Sequence, residues 1–254
     1  TKSDGHGGVF LFTSTAPGEG KTTSALLTAQ AMAEVGVRTL LVGADFRRPA
    51  LADVMGIEAG PTIADLTGPA DRRPKVDQVV RPTKFPNLYL ALSGRPTRDV
   101  SELIAATRQL VSQAASQNAT VIIDTSPLNA SSDALDLLPV VDHVIMVVRS
   151  GRSTEDDLVE SIDALERVGA DVMGTLLVGT PNAGRRQAYY YDYYSHEGLK
   201  DAVGPAKSFV MDDSNDSDFV GDNNDDSNDD DGVDRKSKVA DDSKQHADEV
   251  GTTS

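Results

Sequence analysis

The chain has 254 residues, no cysteine and a formal net charge of −16. The lack of cysteine excludes a disulfide scaffold and thiolate chemistry, and no stretch approaches the ~20 apolar residues that a membrane-spanning helix requires. Residues 201–254 hold 16 acidic and 5 basic side chains, and so carry −11 of the total charge. So polar a segment buries too little apolar surface to offset its ordering entropy, and we predict a disordered acidic tail over 201–254.

The other end of the chain is rich in glycine and begins at Thr1 rather than at a methionine. We interpret residues 1–8 as a truncated leader or linker, and we expect that a preceding segment, including any membrane helices, was cut away upstream.

Short apolar runs alternate with helical patterns between residue 9 and residue 180. The predicted strands are 9–13, 38–42, 88–92, 120–124, 143–148 and 172–178, and the predicted helices are 22–35, 101–117, 133–138 and 153–168. Several of the runs are apolar on both faces, as in parallel strands covered by helices on each side. The alternation predicts an α/β fold with a doubly wound, mainly parallel sheet of the P-loop NTPase type.

A glycine-rich turn ending in Gly20-Lys21-Thr22 follows the first predicted strand and precedes the first predicted helix. In this context the backbone N–H groups and the helix N-terminus favour a bound phosphate, with the lysine on the β/γ-phosphates and the threonine hydroxyl on Mg²⁺. The general pattern has a glycine five residues before Gly20, where this chain has Thr15. The predicted cofactor-binding residues are Pro17, Gly18, Glu19, Gly20, Lys21, Thr22 and Thr23.

Two acidic residues follow other predicted strands. Asp45 comes after the run 40–42, and Asp124 ends the run 121–123 in the manner of a Walker B carboxylate. Ligands of such sheets bind beyond the carboxyl ends of the strands. We therefore expect Thr22, Asp45 and Asp124 to form a metal site for Mg²⁺.

Five of the six tyrosines lie within six residues. Such a cluster has three interpretations: a stacking platform for nucleic acid, an adhesive surface patch, or a set of phosphorylation acceptors. The acidic surroundings would repel nucleic-acid phosphates, so we expect no nucleic-acid partner. The expected phosphoacceptors, within a segment spanning 189–200, are Tyr189, Tyr190, Tyr191, Tyr193 and Tyr194.

Together the P-G-E-G-K-T loop, the stretch 45–49, the I-I-D-T-x-P segment and the tyrosine cluster resemble the bacterial tyrosine kinases (BY-kinases) of exopolysaccharide and capsule synthesis. The resemblance covers about residues 9–195. It implies a kinase domain over 9–188 that uses ATP and Mg²⁺, with Lys21, Asp45 and Asp124 as catalytic residues. It also implies phosphorylation of the tyrosine cluster in trans.

The resemblance further implies three partners: a transmembrane chain-length-determinant protein or domain, other copies of the chain in a ring, and a tyrosine phosphatase. The implied location is cytoplasmic, at the inner face of the cell membrane. The implied role is regulation of polysaccharide synthesis and export.

The chain departs from the family pattern at two positions. Gly43 replaces the first of two acidic residues in the Walker A′ motif, and Gly179 stands where related folds often have an asparagine. A catalytically weakened nucleotide-binding scaffold of the same machinery is therefore one alternative. A MinD/ParA-like ATPase is another, although those relatives usually carry a second lysine where this chain has Ala16-Pro17.

Overall fold

The computed structural model describes residues 7–57, 60–97 and 99–180. They form one seven-stranded sheet in the order β3-β4-β2-β5-β1-β6-β7, in which every pairing is parallel except that between β3 and β4. The strands are β1 Val9–Ser14, β2 Thr39–Ala44, β3 Arg81–Pro82, β4 Leu88–Ala91, β5 Thr120–Thr125, β6 His143–Arg149 and β7 Val172–Val178.

Helices connect the parallel strands and cover both faces of the sheet. They are α1 Lys21–Glu34, α2 Leu51–Met55, α3 Val76–Val79, α4 Ser101–Ser116, α5 Asp133–Leu137 and α6 Glu155–Arg167, with 3₁₀ turns at Ile63–Thr67 and Leu138–Val140. As predicted, α1 and α6 end just before Gly36 and Gly169, which adopt left-handed φ angles of 90° and 77°.

Two hydrophobic clusters lie on opposite faces of the sheet, because successive side chains of a strand alternate between them. On one face Leu11 and Val42 pack with Leu110 of α4. On the other face Phe12 and Leu41 belong to a cluster that includes apolar residues of α1. Strands β2 and β5 are buried almost throughout, which explains their continuous apolar sequence.

The predicted fold class is confirmed, and each of the six predicted strands lies within one or two residues of its observed bounds. Strand β3 and helices α2 and α3, of two, five and four residues, were not predicted, since elements this short seldom show a period. Strand β3 also contains Pro82 and lies at the edge of the sheet, where proline is tolerated.

Several predicted segments fall outside the described residues: most of 1–8, the end of the kinase domain at 188, the segment 189–200 and the tail 201–254. Within the described part of the chain, none of the helices is long and apolar enough to span a bilayer.

Candidate active site

Strands β2, β5 and β1 are neighbours at the centre of the sheet, so their carboxyl ends bring three sequence motifs together. Phe12 of β1 and Gly43 of β2 both pair in register with Asp124 of β5. The phosphate loop after β1, Asp45 after β2, and Asp124 therefore lie at one edge of the sheet, as the sequence predicts.

The phosphate loop has the backbone conformation that its glycines permit. Gly18 and Gly20 adopt φ angles of 81° and 96°, a left-handed region that other residues rarely enter. Helix α1 begins directly after Gly20, whose carbonyl accepts a hydrogen bond from the Ser24 N–H at 2.9 Å. The first turn of α1 contains no acidic side chain. The positive end of the helix dipole is therefore available to an anion.

Lys21 and Asp45 form an ion pair. The Lys21 Nζ atom lies 3.0 Å from Asp45 Oδ2, and the side chains are only 11% and 8% exposed. The other Asp45 oxygen, Oδ1, accepts a hydrogen bond from the Arg48 N–H at 3.0 Å. Both oxygens of Asp45 are thus held, one by the phosphate-loop lysine and one by its own turn.

Asp124 is buried, with 1% exposure, and its Oδ1 atom has no hydrogen-bond partner within the described residues. Burial raises the pKa of the Asp124 carboxyl to about 6, although the charge of Lys21 and a hydrogen bond with the Thr22 side chain oppose this rise. The nearby Asp45 carboxylate adds to it. A buried carboxylate oxygen without a partner is costly unless a cation or a donor completes it.

These residues fit a hard divalent cation. Mg²⁺ prefers oxygen ligands and usually takes one or two carboxylates together with substrate phosphates and water. Thr22 and Asp45 both interact with the Asp124 carboxyl and supply a hydroxyl and a second carboxylate. The described residues contain no ready-made cluster of three or more His, Asp or Glu side chains, so phosphate oxygens would have to complete the coordination.

Two cavities adjoin at this edge of the sheet. The phosphate cavity, of about 880 Å³, is lined by the phosphate loop and by Lys21 and Thr22. The second cavity, of about 860 Å³, lies over β2 and β4 and is lined by Gly43, Leu51 and Asp124. Asp45 lines both cavities, so it stands at their boundary.

The Glu19 side chain does not line the phosphate cavity, although the residues on both sides of it do. Its carboxylate is fully buried and accepts hydrogen bonds from the Thr15 hydroxyl, the Ala16 N–H and the Ser153 hydroxyl. Sequence reasoning missed Ser153, which lies 134 residues away and has no local signal.

Arg47 forms a two-pronged ion pair with Asp133, with distances of 2.9 Å from Nε to Oδ2 and 3.0 Å from Nη2 to Oδ1. Asp133 is buried at the start of α5, and this pairing raises the pKa of the Arg47 guanidinium. The structure uses Arg47 to join the turns that follow β2 and β5.

The two departures from the family pattern are both visible. A Cβ atom placed on Gly43 would lie 3.3 Å from Leu51 Cδ2, closer than ordinary van der Waals contact. Gly179 adopts a φ of 71°, a left-handed conformation that asparagine also tolerates. The tyrosine cluster lies outside the described residues, so its place relative to the two cavities stays a prediction.

Known proteins are similar to about three quarters of the chain. The tyrosine-protein kinase YwqD of Bacillus subtilis is 27% identical over 193 residues, which cover 75% of this chain and 78% of that protein. The putative tyrosine-protein kinase EpsB of Ralstonia nicotianae is 32% identical over 197 residues. The chain is a homologue of the bacterial tyrosine-protein kinases. A comparison with protein-family models gives no match.

The tyrosine-kinase relatives differ greatly in length. The match covers 77% of this chain but only 25% of EpsB, so three quarters of that relative lies outside the similarity. Among solved structures, the kinase domain of VpsO superposes with a TM-score of 0.62 at 28% identity, covering 69% of this chain and 86% of that domain.

The fold itself is shared more widely. The septum site-determining protein MinD of Pyrococcus horikoshii superposes with a TM-score of 0.57 at 22% identity, covering 70% of this chain and 69% of that structure. At this identity the likeness concerns the fold alone. It supports the assignment of the sheet to the P-loop NTPase type.

Proposed function

We propose that this chain is an ATP-dependent protein-tyrosine kinase that phosphorylates its own tyrosine cluster in trans. One observation carries the proposal: the buried Asp124 carboxylate, with an unpaired oxygen, lies beside Thr22, Lys21 and Asp45 where two cavities adjoin. The homology to tyrosine-protein kinases supports the same chemistry.

The phosphate cavity suits the donor nucleotide. The N-terminus of α1 and the loop from Pro17 to Thr23 would bind the β- and γ-phosphates of ATP through backbone N–H groups. Thr22, Asp45 and Asp124 would hold Mg²⁺, which when bound draws negative charge from the phosphate oxygens. Lys21 would leave Asp45 for those phosphates and so bring its charge to the transferred group.

The second cavity suits the acceptor tyrosine. A tyrosine hydroxyl has a pKa of ~10 and is a poor nucleophile, so it needs a nearby carboxylate to orient it and take its proton. Asp45 faces this cavity, and its Oδ2 atom becomes free once Lys21 turns to the phosphates. The tyrosine oxygen would bond to the γ-phosphorus as the bond to the bridging oxygen of ADP breaks.

Phosphorylation of several neighbouring tyrosines would act as a charge switch. Each phosphate adds about −1.5 to −2 charges, so a fully modified cluster would repel another copy or leave an acidic docking site. We infer that this switch regulates exopolysaccharide or capsular polysaccharide synthesis and export, at the inner face of the cell membrane. The proposed partners are a transmembrane chain-length-determinant protein or domain, further copies of the chain in a ring, and a tyrosine phosphatase.

One observation favours a second candidate, a nucleotide-binding scaffold with weak or no phosphoryl transfer. Leu51 packs against Gly43 in the space that an acidic side chain would enter. The chain would then bind nucleotide through the same loop but lack one of the carboxylates of the family pattern.

Intact-mass analysis after incubation with Mg²⁺ and ATP distinguishes the two candidates. The kinase predicts added phosphates on the peptide that carries Tyr189 to Tyr194, and none in Lys21→Met or in a variant with all five clustered tyrosines changed to phenylalanine. ADP binding without any added phosphate, even at high protein concentration, would instead support the scaffold.

A further inference from the structure

Glu19 is an acidic residue buried inside a loop that is built to hold anions. Its side chain has no exposed surface, and it is turned away from the phosphate cavity that its neighbours line. We propose that Glu19 is a positioning residue, which fixes the phosphate loop for an anion by joining it to the turn after β6 through Ser153. The inference rests on the proposed nucleotide site.

Three donors converge on the Glu19 carboxylate. The Thr15 hydroxyl donates to both oxygens, at 2.8 and 3.0 Å, and the Ala16 N–H donates at 2.8 Å. The Ser153 hydroxyl donates to Oε1, and its oxygen in turn accepts the Arg149 N–H at 3.1 Å. The carboxylate therefore ties the beginning of the phosphate loop to the end of β6.

This arrangement explains two oddities of the sequence. A carboxylate next to phosphates would weaken their binding if it faced them, but here its lone pairs are taken up by donors on the far side of the loop. Thr15, which replaces a glycine of the general pattern, supplies one of those donors. With Glu19 so held, Gly18, Gly20 and Lys21 line the phosphate cavity.

The link to β6 matters because that strand is the direct neighbour of β1. The two pair in parallel up to Ser14 and Val147, and the β6 turn then reaches the loop. Arg149 also contacts the loop from this side, with Nη1 3.5 Å from the Gly18 carbonyl oxygen. The loop is thus held in place by contacts with the next strand. It therefore loses less conformational entropy when an anion binds.

The test measures ADP binding to the full chain and to each variant by titration with a fluorescent ADP analogue. The melting temperature of each variant is measured as well. We expect Glu19→Gln and Glu19→Ala to weaken ADP binding by about 10-fold to 100-fold, the range for losing hydrogen bonds to a buried charge. Ser153→Ala should weaken it by about 3-fold to 10-fold. In a Glu19→Ala background, Ser153→Ala should have no further effect, because the serine acts through the carboxylate.

Thr107→Ala is the matched control. Thr107 is a buried hydroxyl that donates to the Leu103 carbonyl within α4, away from the loop. Thr107→Ala should lower the melting temperature and leave the ADP dissociation constant unchanged. Ser153→Ala would give the same result if the role of Ser153 were purely structural. Ser153→Ala keeps the test decisive if Glu19→Ala does not fold.

The outcomes distinguish a failure of the positioning role from a failure of the nucleotide site. If wild type binds ADP and the Glu19 and Ser153 variants bind it equally well, the positioning role is wrong and the nucleotide site stands. Additive effects of Glu19→Ala and Ser153→Ala would also overturn the role. If wild type itself binds neither ADP nor ATP, the nucleotide site fails, and this inference with it.

Discussion

Lys21 and Asp45 are ion-paired across 24 residues of sequence, with 3.0 Å between their charged atoms and both side chains largely buried. Lys21, which we expect to bind phosphates, is therefore ion-paired with Asp45, which we expect to accept the tyrosine proton. Binding of a nucleotide would exchange one partner of Lys21 for another and free Asp45 in the same event. This exchange would link nucleotide binding in the phosphate cavity to the availability of the Asp45 carboxylate in the second cavity.

Asp45→Asn should separate binding from chemistry. Without Mg²⁺, we expect ADP to bind about fivefold more tightly, since a competing ion pair worth roughly 1 kcal/mol is gone. Phosphate incorporation should fall by ~10²–10⁴-fold, as for loss of a general base. Titration and intact-mass analysis measure the two effects, with Asp163→Asn as the control, because Asp163 is an exposed carboxylate of α6 that lines neither cavity. Weaker ADP binding in Asp45→Asn would contradict the exchange.

Asp124 should make the metal-free protein less stable as pH rises. Its pKa is raised from 3.8 to about 6, so the folded state holds the proton more tightly than the unfolded state does. The resulting contribution to stability is complete below pH ~4 and is lost as pH rises through about 6.

Asp124→Asn removes this dependence. In chelator at pH ~7.5 we expect the variant to be more stable than wild type, by up to about 3 kcal/mol for a shift of roughly two pKa units. Its stability should also be flatter between pH ~4 and ~6.5, whereas Mg²⁺-dependent ADP binding should be lost. Urea unfolding at several pH values measures the first effect. A variant that is less stable than wild type at pH ~7.5 would show that the buried charge is already compensated.

Gly43→Asp alone should not restore a family-like site. The new Cβ would press against Leu51 Cδ2 at 3.3 Å, with the Ala91 carbonyl oxygen 3.8 Å away on another side. We expect Gly43→Asp to lower the melting temperature without raising phosphate incorporation. Gly43→Asp combined with Leu51→Ala should raise incorporation by about 10-fold or more over Leu51→Ala alone. If Gly43→Asp alone were as active as Gly43→Asp combined with Leu51→Ala, Leu51 would not obstruct this position.

Arg47→Ala should destabilise the fold by leaving the buried Asp133 carboxylate without its partner. We expect a fall of several degrees in melting temperature, and a smaller fall when Arg47→Ala is combined with Asp133→Ala, because the stranded charge is then gone. Arg48→Ala is the control, since only the backbone N–H of Arg48 bonds to Asp45. Additive losses in the double variant would show that the two side chains act independently.

The strands and the two carboxylates could be predicted because their signals are local: apolar runs, a helical period, and an acidic residue directly after a strand. The partners of those residues could not be predicted in the same way. Ser153 contacts Glu19, and Asp133 contacts Arg47, only because parallel strands bring distant turns to one edge. Leu51 belongs to the short helix α2, which was not predicted, and so its contact with Gly43 was also missed.

Strand β7 ends at Val178, whose side chain lies close to the phosphate loop: a Cβ added to Gly20 would be 3.5 Å from its Cγ2 atom. The chain that leads to the tyrosines therefore leaves the sheet beside the phosphate loop. Ten residues lie between Val178 and Tyr189, a tether of at most about 40 Å. On the proposed function, a tether of this length would not by itself keep a copy's tyrosines away from its own phosphate cavity, so phosphorylation in trans would require a second copy to outcompete them.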